Sequence, residues 1–212
     1  MKKLYIKKRI VFVIFFVCLS ICSYVIIDVI ERSNKIITTN ALPITNKTVI
    51  IDAGHGSPDE GAIGFNGTTE AAINLEIALK LQKLVEQSGA KVILTRSDEN
   101  GIYSNKPNSI RNLKISDIKN RVDIGNNSNA DIFVSIHLNK NIEKKNNRKI
   151  MPISNIYIMD NVKIPAVIVE CGFLSNPSEC EELRTESYQN KIIWGIYLGL
   201  QEYFANEGEK NE

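Results

Sequence analysis

Thr48-Val49-Ile50-Ile51-Asp52-Ala53-Gly54-His55-Gly56 sets a β-branched apolar run directly before two glycines that bracket a histidine. Such a run reads as a buried strand, and the glycines read as a sharp turn at its carboxyl end. A second run, Ile132 to Ile136, leads in the same way into His137, Leu138 and Asn139. The chain contains only 2 histidines, and these are both of them. Histidine is the commonest protein ligand for metals, and in open α/β sheets ligands gather beyond the carboxyl ends of strands. One histidine after a strand is ordinarily a satisfied turn or core residue. Two in matching positions, with none elsewhere, predict a shared metal site.

Working outward, the runs Thr48 to Asp52, Ala90 to Thr95, Asp131 to Ile136, Asn155 to Met159 and Ala166 to Glu170 read as strands. Helical patterns lie at about 69 to 87, 115 to 127 and 178 to 206. Strands alternating with helices predict a single three-layer α/β domain, with a mostly parallel mixed sheet flanked by helices. Asn176 followed by Pro177 makes a helix start, a capping residue and then proline at the first helical position. The polar stretches Asn100 to Asn112 and Asn139 to Lys149 read as exposed loops.

The first fifty residues differ in kind. Lys2, Lys3, Lys7, Lys8 and Arg9 precede an 18-residue run, Ile10 to Ile27, that carries no formal charge. That length just spans a bilayer core, and the basic flank predicts a cytoplasmic amino terminus. Bulky residues continue through Tyr24 to Ile27 where a cleavage site would need small ones, so an uncleaved anchor is expected over a cleaved signal. Ile21 likewise spoils the lipoprotein-like Leu19 to Cys22. The expected layout is a basic flank at 1–9, a signal-anchor at 10–30, a linker at 31–47, the domain at 48–206 and a polar tail at 207–212, with the domain outside the cytoplasm.

The net charge of +2 misleads as a single number. Without residues 1–31, which hold five basic and two acidic side chains, 21 basic residues face 22 acidic ones. No basic nucleic-acid footprint remains. Cys18, Cys22, Cys171 and Cys180 show no C-x-x-C spacing, which excludes a recognisable redox or zinc-finger motif and argues against a disulfide framework.

Stepping about 100° per residue along the first helix, Glu70 falls within the stripe of Ile73, Ile77, Leu81 and Leu84, the face that packs on the sheet. A carboxylate on that face needs a partner, and Glu70 is the third ligand candidate. Glu76 lies well round the helix, where an i,i+4 pair with Lys80 explains it. Two imidazoles and one carboxylate are the donor set of many hydrolytic zinc sites, which keep a fourth position for water. Zinc is favoured because the donors mix imidazole with one carboxylate. Glu170 ends the apolar run Ala166 to Val169, and taken alone it is either an acid reaching solvent or the base that such hydrolysis needs. Arg96 and Arg121 read as structural ion-pair residues.

Ile50-Asp52-Ala53-Gly54-His55-Gly56, then Glu70 with Asn74 and Leu75, then Thr95-Arg96, then Ser135 to Asn139, then Val169 to Pro177 resemble the successive motifs of the zinc N-acetylmuramoyl-L-alanine amidases. The resemblance runs from about 48 to 204. Within that family the anchored layout and the run Gly172 to Glu179 are most similar to the germination-specific, spore-cortex members of endospore formers. It implies a phosphorylase/hydrolase-like fold, His55, Glu70 and His137 as zinc ligands, and Glu170 as catalytic acid/base. It also implies cleavage of the amide between the lactyl group of N-acetylmuramic acid and L-alanine in peptidoglycan, in spore-cortex maturation through muramic-lactam formation and in germination. A peptidoglycan substrate follows from it; with the membrane contact read from the anchor, the expected location is the cell envelope or the forespore intermembrane space, and whether a protein partner activates the chain is left open.

The family usually carries one further strand and a long helix between the second histidine motif and the glutamate strand. Only the 32 residues Leu138 to Val169 stand there in this chain. This shortening raises a rival reading, a non-catalytic zinc-containing module that binds the wall or a partner. A metallopeptidase cutting within the peptide stem is a third.

Overall fold

The computed structural model describes residues 12, 15–32, 41–104, 109–139, 152 and 154–209, in two compact units divided between Ala41 and Leu42. In the first unit, residues 15–32 form helix α1, whose apolar side chains are exposed all round, Phe15, Leu19, Ile21 and Val25 among them. Among the described residues no helix is long and apolar enough to cross a membrane. The anchor expected at 10–30 begins in residues outside the described ones.

The second unit is built on four strands: β1 (Thr48–Ala53), β2 (Lys91–Leu94), β3 (Ile132–Asn139) and β4 (Ala166–Phe173). Their order is β2-β1-β3-β4, and every pairing is parallel, so no antiparallel strand joins the sheet among the described residues. Helix α2 (Glu70–Gln87) connects β1 to β2 and α3 (Ile110–Asn127) connects β2 to β3. The chain leaves β1 toward one side and returns past it to the other, so right-handed crossovers put the two helices on opposite faces. The switch point of the sheet therefore lies between β1 and β3.

Strand alternation then sorts the core. Val49, Ile51, Ile132, Val134 and Ile136 meet α2 and the carboxyl-terminal helices α5 (Pro177–Leu183) and α6 (Glu186–Glu209) in the larger cluster. Ile50 and Phe133 face Val122 of α3 and Ile158 in a smaller one. Thr69 caps α2 by accepting from the amide of Ala72. Asn176 caps α5 through Ser178 and Glu179 with Pro177 next, the helix start that the sequence predicts.

Several expectations change. The run Asn155 to Met159, predicted as a strand, lies in and before the short helix α4 (Tyr157–Asn161). β3 and β4 pair directly, leaving no place between them, and Ile158 alone of the run is buried, so tertiary context overrides strand propensity. The single helix predicted at 178–206 is two helices, broken where the amide of Arg184 turns back to Glu181 and Glu182. Helix α3 starts at Ile110 under a Ser109 cap, inside a stretch predicted as loop. Ile44, in the stretch read as linker, is fully buried in the main core. Glu76 and Lys80 do not pair directly: buried Gln189 of α6 donates to Glu76 and accepts from Lys80.

Beneath the carboxyl ends of β1 and β3 sits a carboxylate with no solvent exposure, Asp52. It accepts from Thr95 at 2.7 Å, from Ser135 at 2.5 Å and from Arg121 of α3 at 2.5 Å. Burial alone would raise its pKa, yet the Arg121 charge and the two hydroxyls outweigh that and hold it below the ordinary value. Arg121, itself 2% exposed, is further paired with Asp117. Removing one partner of such a pair strands the other charge in the core. Arg121→Met should destabilise the domain by about 3–5 kcal/mol in urea denaturation, and adding Asp52→Asn should recover part of the loss. Equal stability of Arg121→Met and the parent would refute this assignment.

Candidate metal centre

The carbonyls of Ala53, Gly54 and His55 lie where β1 ends and its chain turns away from the sheet. Two buried guanidiniums take them. Arg121 donates to Ala53 and His55, and Arg96 donates to Ala53 and Gly54 as well as to Ala71 and Asp98. Arg121 is thus the ion-pair residue expected, whereas Arg96 works as a carbonyl clamp and not through a paired carboxylate. Burial lowers the Arg96 pKa to about 10, which leaves it charged at neutral pH. Held this way, His55 adopts φ 62°, a left-handed conformation uncommon outside glycine, and its ring turns toward β3.

His137 leaves β3 on the neighbouring strand, and the two imidazole centroids stand 5.0 Å apart. Glu70, at the first position of α2 and 4% exposed, comes in between them. Its Oε1 lies 3.3 Å from His55 Nε2 and 3.0 Å from His137 Nδ1, and it also accepts from the amide of Leu138. Its Oε2 accepts from the amide of Ala62. One donor atom from each of the three residues lies within 4.8 Å of the others. The three candidates, 82 residues apart at their extremes, converge.

The other nitrogen of His55 has its own carboxylate. Nδ1 is 3.1 Å from Asp59, which also takes the amide of Gly61 and the ammonium of Lys114 at 2.7 Å. A proton kept on Nδ1 by Asp59 leaves Nε2 free as a donor, the arrangement common behind metal-ligating histidines. Burial would lower the His55 pKa, but the hydrogen bonds to Asp59 and Glu70 outweigh it and raise the pKa to about 9. Burial would raise Glu70, and its contacts with both imidazoles instead hold it well below the carboxylate range.

Two glycines make the convergence possible. A Cβ on Gly54 would stand 2.4 Å from the His137 ring, and one on Gly61, where φ is 67°, would stand 2.7 Å from Glu70 Oε2 and 2.8 Å from His55 Cδ2. Two imidazole nitrogens and a carboxylate oxygen, converging with the backbone cleared around them, fit a zinc ion in donor type and number.

Glu170 is the register partner of His137 across the β3–β4 pairing, so the two point to the same face about 4.8 Å apart along the sheet. It is exposed and lines one cleft with His55, His137, Lys114 and Tyr157. Asp59, Lys114 and the Gly61 turn were missed in the sequence. Asp59 stands four residues after His55, a spacing that could have marked it; Lys114 lies just before the helical pattern read at 115–127, and nothing local marked that one.

The profile of the family described as N-acetylmuramoyl-L-alanine amidase matches the chain in two segments, residues 49–151 and 140–202. The germination-specific N-acetylmuramoyl-L-alanine amidase of Bacillus subtilis is 32% identical over 205 aligned positions, which cover 81% of this chain and 86% of that protein. Among solved structures, the CwlD amidase of Clostridioides difficile, in complex with the GerS lipoprotein, is similar at TM-score 0.72 and 41% identity, over 76% of this chain and 99% of that one. The catalytic domain of CwlV, an N-acetylmuramoyl-L-alanine amidase of Bacillus (Paenibacillus) polymyxa, is similar at TM-score 0.61 and 29% identity, over 75% and 98%.

Gly54→Ala should push the His137 ring out of place and weaken zinc binding by about 10- to 100-fold in a chelator competition titration, with the fold retained. Unchanged affinity would mean that His137 is no donor. In the metal-free protein the raised His55 pKa carries a pH signature. Its stabilising contribution should be complete below about 6.5 and be lost as the pH rises through about 9. Thermal midpoints across that range, and a histidine NMR titration, check it.

Proposed function

The chain belongs to the N-acetylmuramoyl-L-alanine amidase family and is an amidase acting on peptidoglycan, and from that premise we propose how its residues do the work. His55, Glu70 and His137 hold zinc, and Glu170 is the acid/base. The observation that carries this reading is the register match of Glu170 with His137, which puts the acid on the strand next to a donor, in one open cleft with both histidines. Zinc bound there supplies a Lewis acid that activates water and polarises a carbonyl.

The chain's own groups do the rest. Glu170 takes a proton from the attacking water as its oxygen bonds to the lactyl carbonyl carbon. It then delivers that proton to the alanine nitrogen as the carbon–nitrogen bond breaks, leaving a lactyl carboxylate and a free amine. Asp59 fixes the tautomer of His55, and Arg121 and Arg96 hold the turn that carries it. Lys114, which also lines the cleft, pairs with Asp59 and so steadies the carboxylate behind His55.

The proposed setting is spore-cortex maturation, through muramic-lactam formation, and germination, which the similarity to the Bacillus subtilis germination-specific amidase supports. Residues 10–30 are the proposed anchor, supported by the apolar surface that α1 exposes all round. The Clostridioides difficile relative, solved with a lipoprotein, supports a protein partner of that kind as the activator.

The non-catalytic module keeps one observation in its favour. β3 and β4 pair directly with only α4 described between them, and the family profile matches in two segments that overlap at 140–151. The two readings part on one experiment. Glu170→Gln should bind one zinc per chain yet release stem peptides from purified peptidoglycan about 10²- to 10⁴-fold more slowly. Release at the parent rate would remove Glu170 from the chemistry. A parent protein that holds zinc and generates no new L-alanine amino ends, with or without the lipoprotein partner, would establish the module.

A further inference from the structure

Helix α6 is the longest of the domain and uses one face on it. Ile193, Tyr197, Leu200 and Phe204 are buried in the main core. The opposite face is bare: Trp194 is 52% exposed and Leu198 59%. Next to each stands a glycine, Gly195 and Gly199, and a Cβ built on either meets nothing within 4 Å. Glycine in a helix interior is destabilising relative to alanine, so a folded monomer has no use for either. Lys191 and Glu202 complete the same face, and neither has an ion-pair partner among the described residues.

Lys191, Gly195, Leu198 and Glu202 follow one another at spacings of four, three and four, which places them on a single stripe. In order, the stripe reads positive, small, large, negative. Laid antiparallel against itself about its midpoint, it matches: Lys191 meets Glu202 of the second copy, and Leu198 meets the gap at Gly195, each contact made twice. Laid parallel, it sets like charge on like charge. Within one chain the two charges are eleven residues apart, about 16 Å along the helix, and do not meet.

We propose that a second copy of this chain docks on this stripe, antiparallel and two-fold symmetric, with Trp194 closing the flank of the contact. Such an isologous patch is the usual way a soluble chain makes a dimer. A stripe of three helical turns is smaller than a permanent interface, so the dimer is weak and concentration-dependent. This inference stands on α6 alone and is independent of the catalytic reading.

Charge reversal tests it. Sedimentation velocity of the full chain in detergent, over a concentration series, should show a mass-action rise from monomer to dimer. Lys191→Glu and Glu202→Lys should each weaken that association about tenfold or more, and the double reversal should restore it. Gly195→Leu should abolish the dimer without lowering the thermal midpoint, since the monomer has room for the side chain. A parent that stays monomeric throughout overturns the proposal. So does a dimer indifferent to the single reversals, which would be held by another surface such as the apolar leader, and so does a double reversal that fails to restore.

Discussion

A fully buried carboxylate under the end of the central strand governs this domain. Asp52 has no solvent, and an uncompensated charge there would cost several kcal/mol, so its partners are not optional. Those partners come from three directions, Thr95 after β2, Ser135 on β3 and Arg121 on α3, and they tie the sheet's switch point to one helix. Arg121 then reaches past Asp52 to the carbonyl of His55. The guanidinium that neutralises the buried acid is the same one that holds the site's first donor. Core electrostatics and site geometry are one arrangement, and neither can be altered alone.

The strand-end histidines, the inward Glu70 and the parallel α/β class were legible in the sequence because each rests on a local pattern: an apolar run and turn, a helical period, an alternation of elements. What was not legible depends on distance. The sequence marks Arg96 and Arg121 as structural ion-pair residues but not that Arg96 serves carbonyls, since carbonyls have no letter. Asn155 to Met159 has the composition of a strand, and only the direct pairing of β3 with β4 shows that the sheet has no slot for it. Helix α3 escaped at its start because Arg111, Asn112 and Lys114 look like loop, and its packed residues Ile118 and Val122 come more than two turns after the Ser109 cap.

The shortened segment between β3 and β4 bears on the chemistry through register. A parallel pairing that sets Phe133 against Ala166 carries on two residues at a time, through Ser135 against Ile168, to His137 against Glu170. Period-two alternation fixes both on the cleft face, so a slip of one residue would send Glu170 to the opposite side. The proposed acid/base is therefore held in register by strand pairing. The irregularity in the pairing comes only after this pair, between His137 and Asn139, where the chain leaves the sheet.

The central claim is that His55, Glu70 and His137 share one zinc ion. X-ray absorption at the zinc edge of the purified full chain tests it most directly. The account predicts one zinc per chain, with scattering from two imidazoles at about 2.0–2.1 Å and from oxygen at about 2.0–2.2 Å. A spectrum dominated by sulfur at about 2.3 Å, or one that fits a single imidazole, would contradict it.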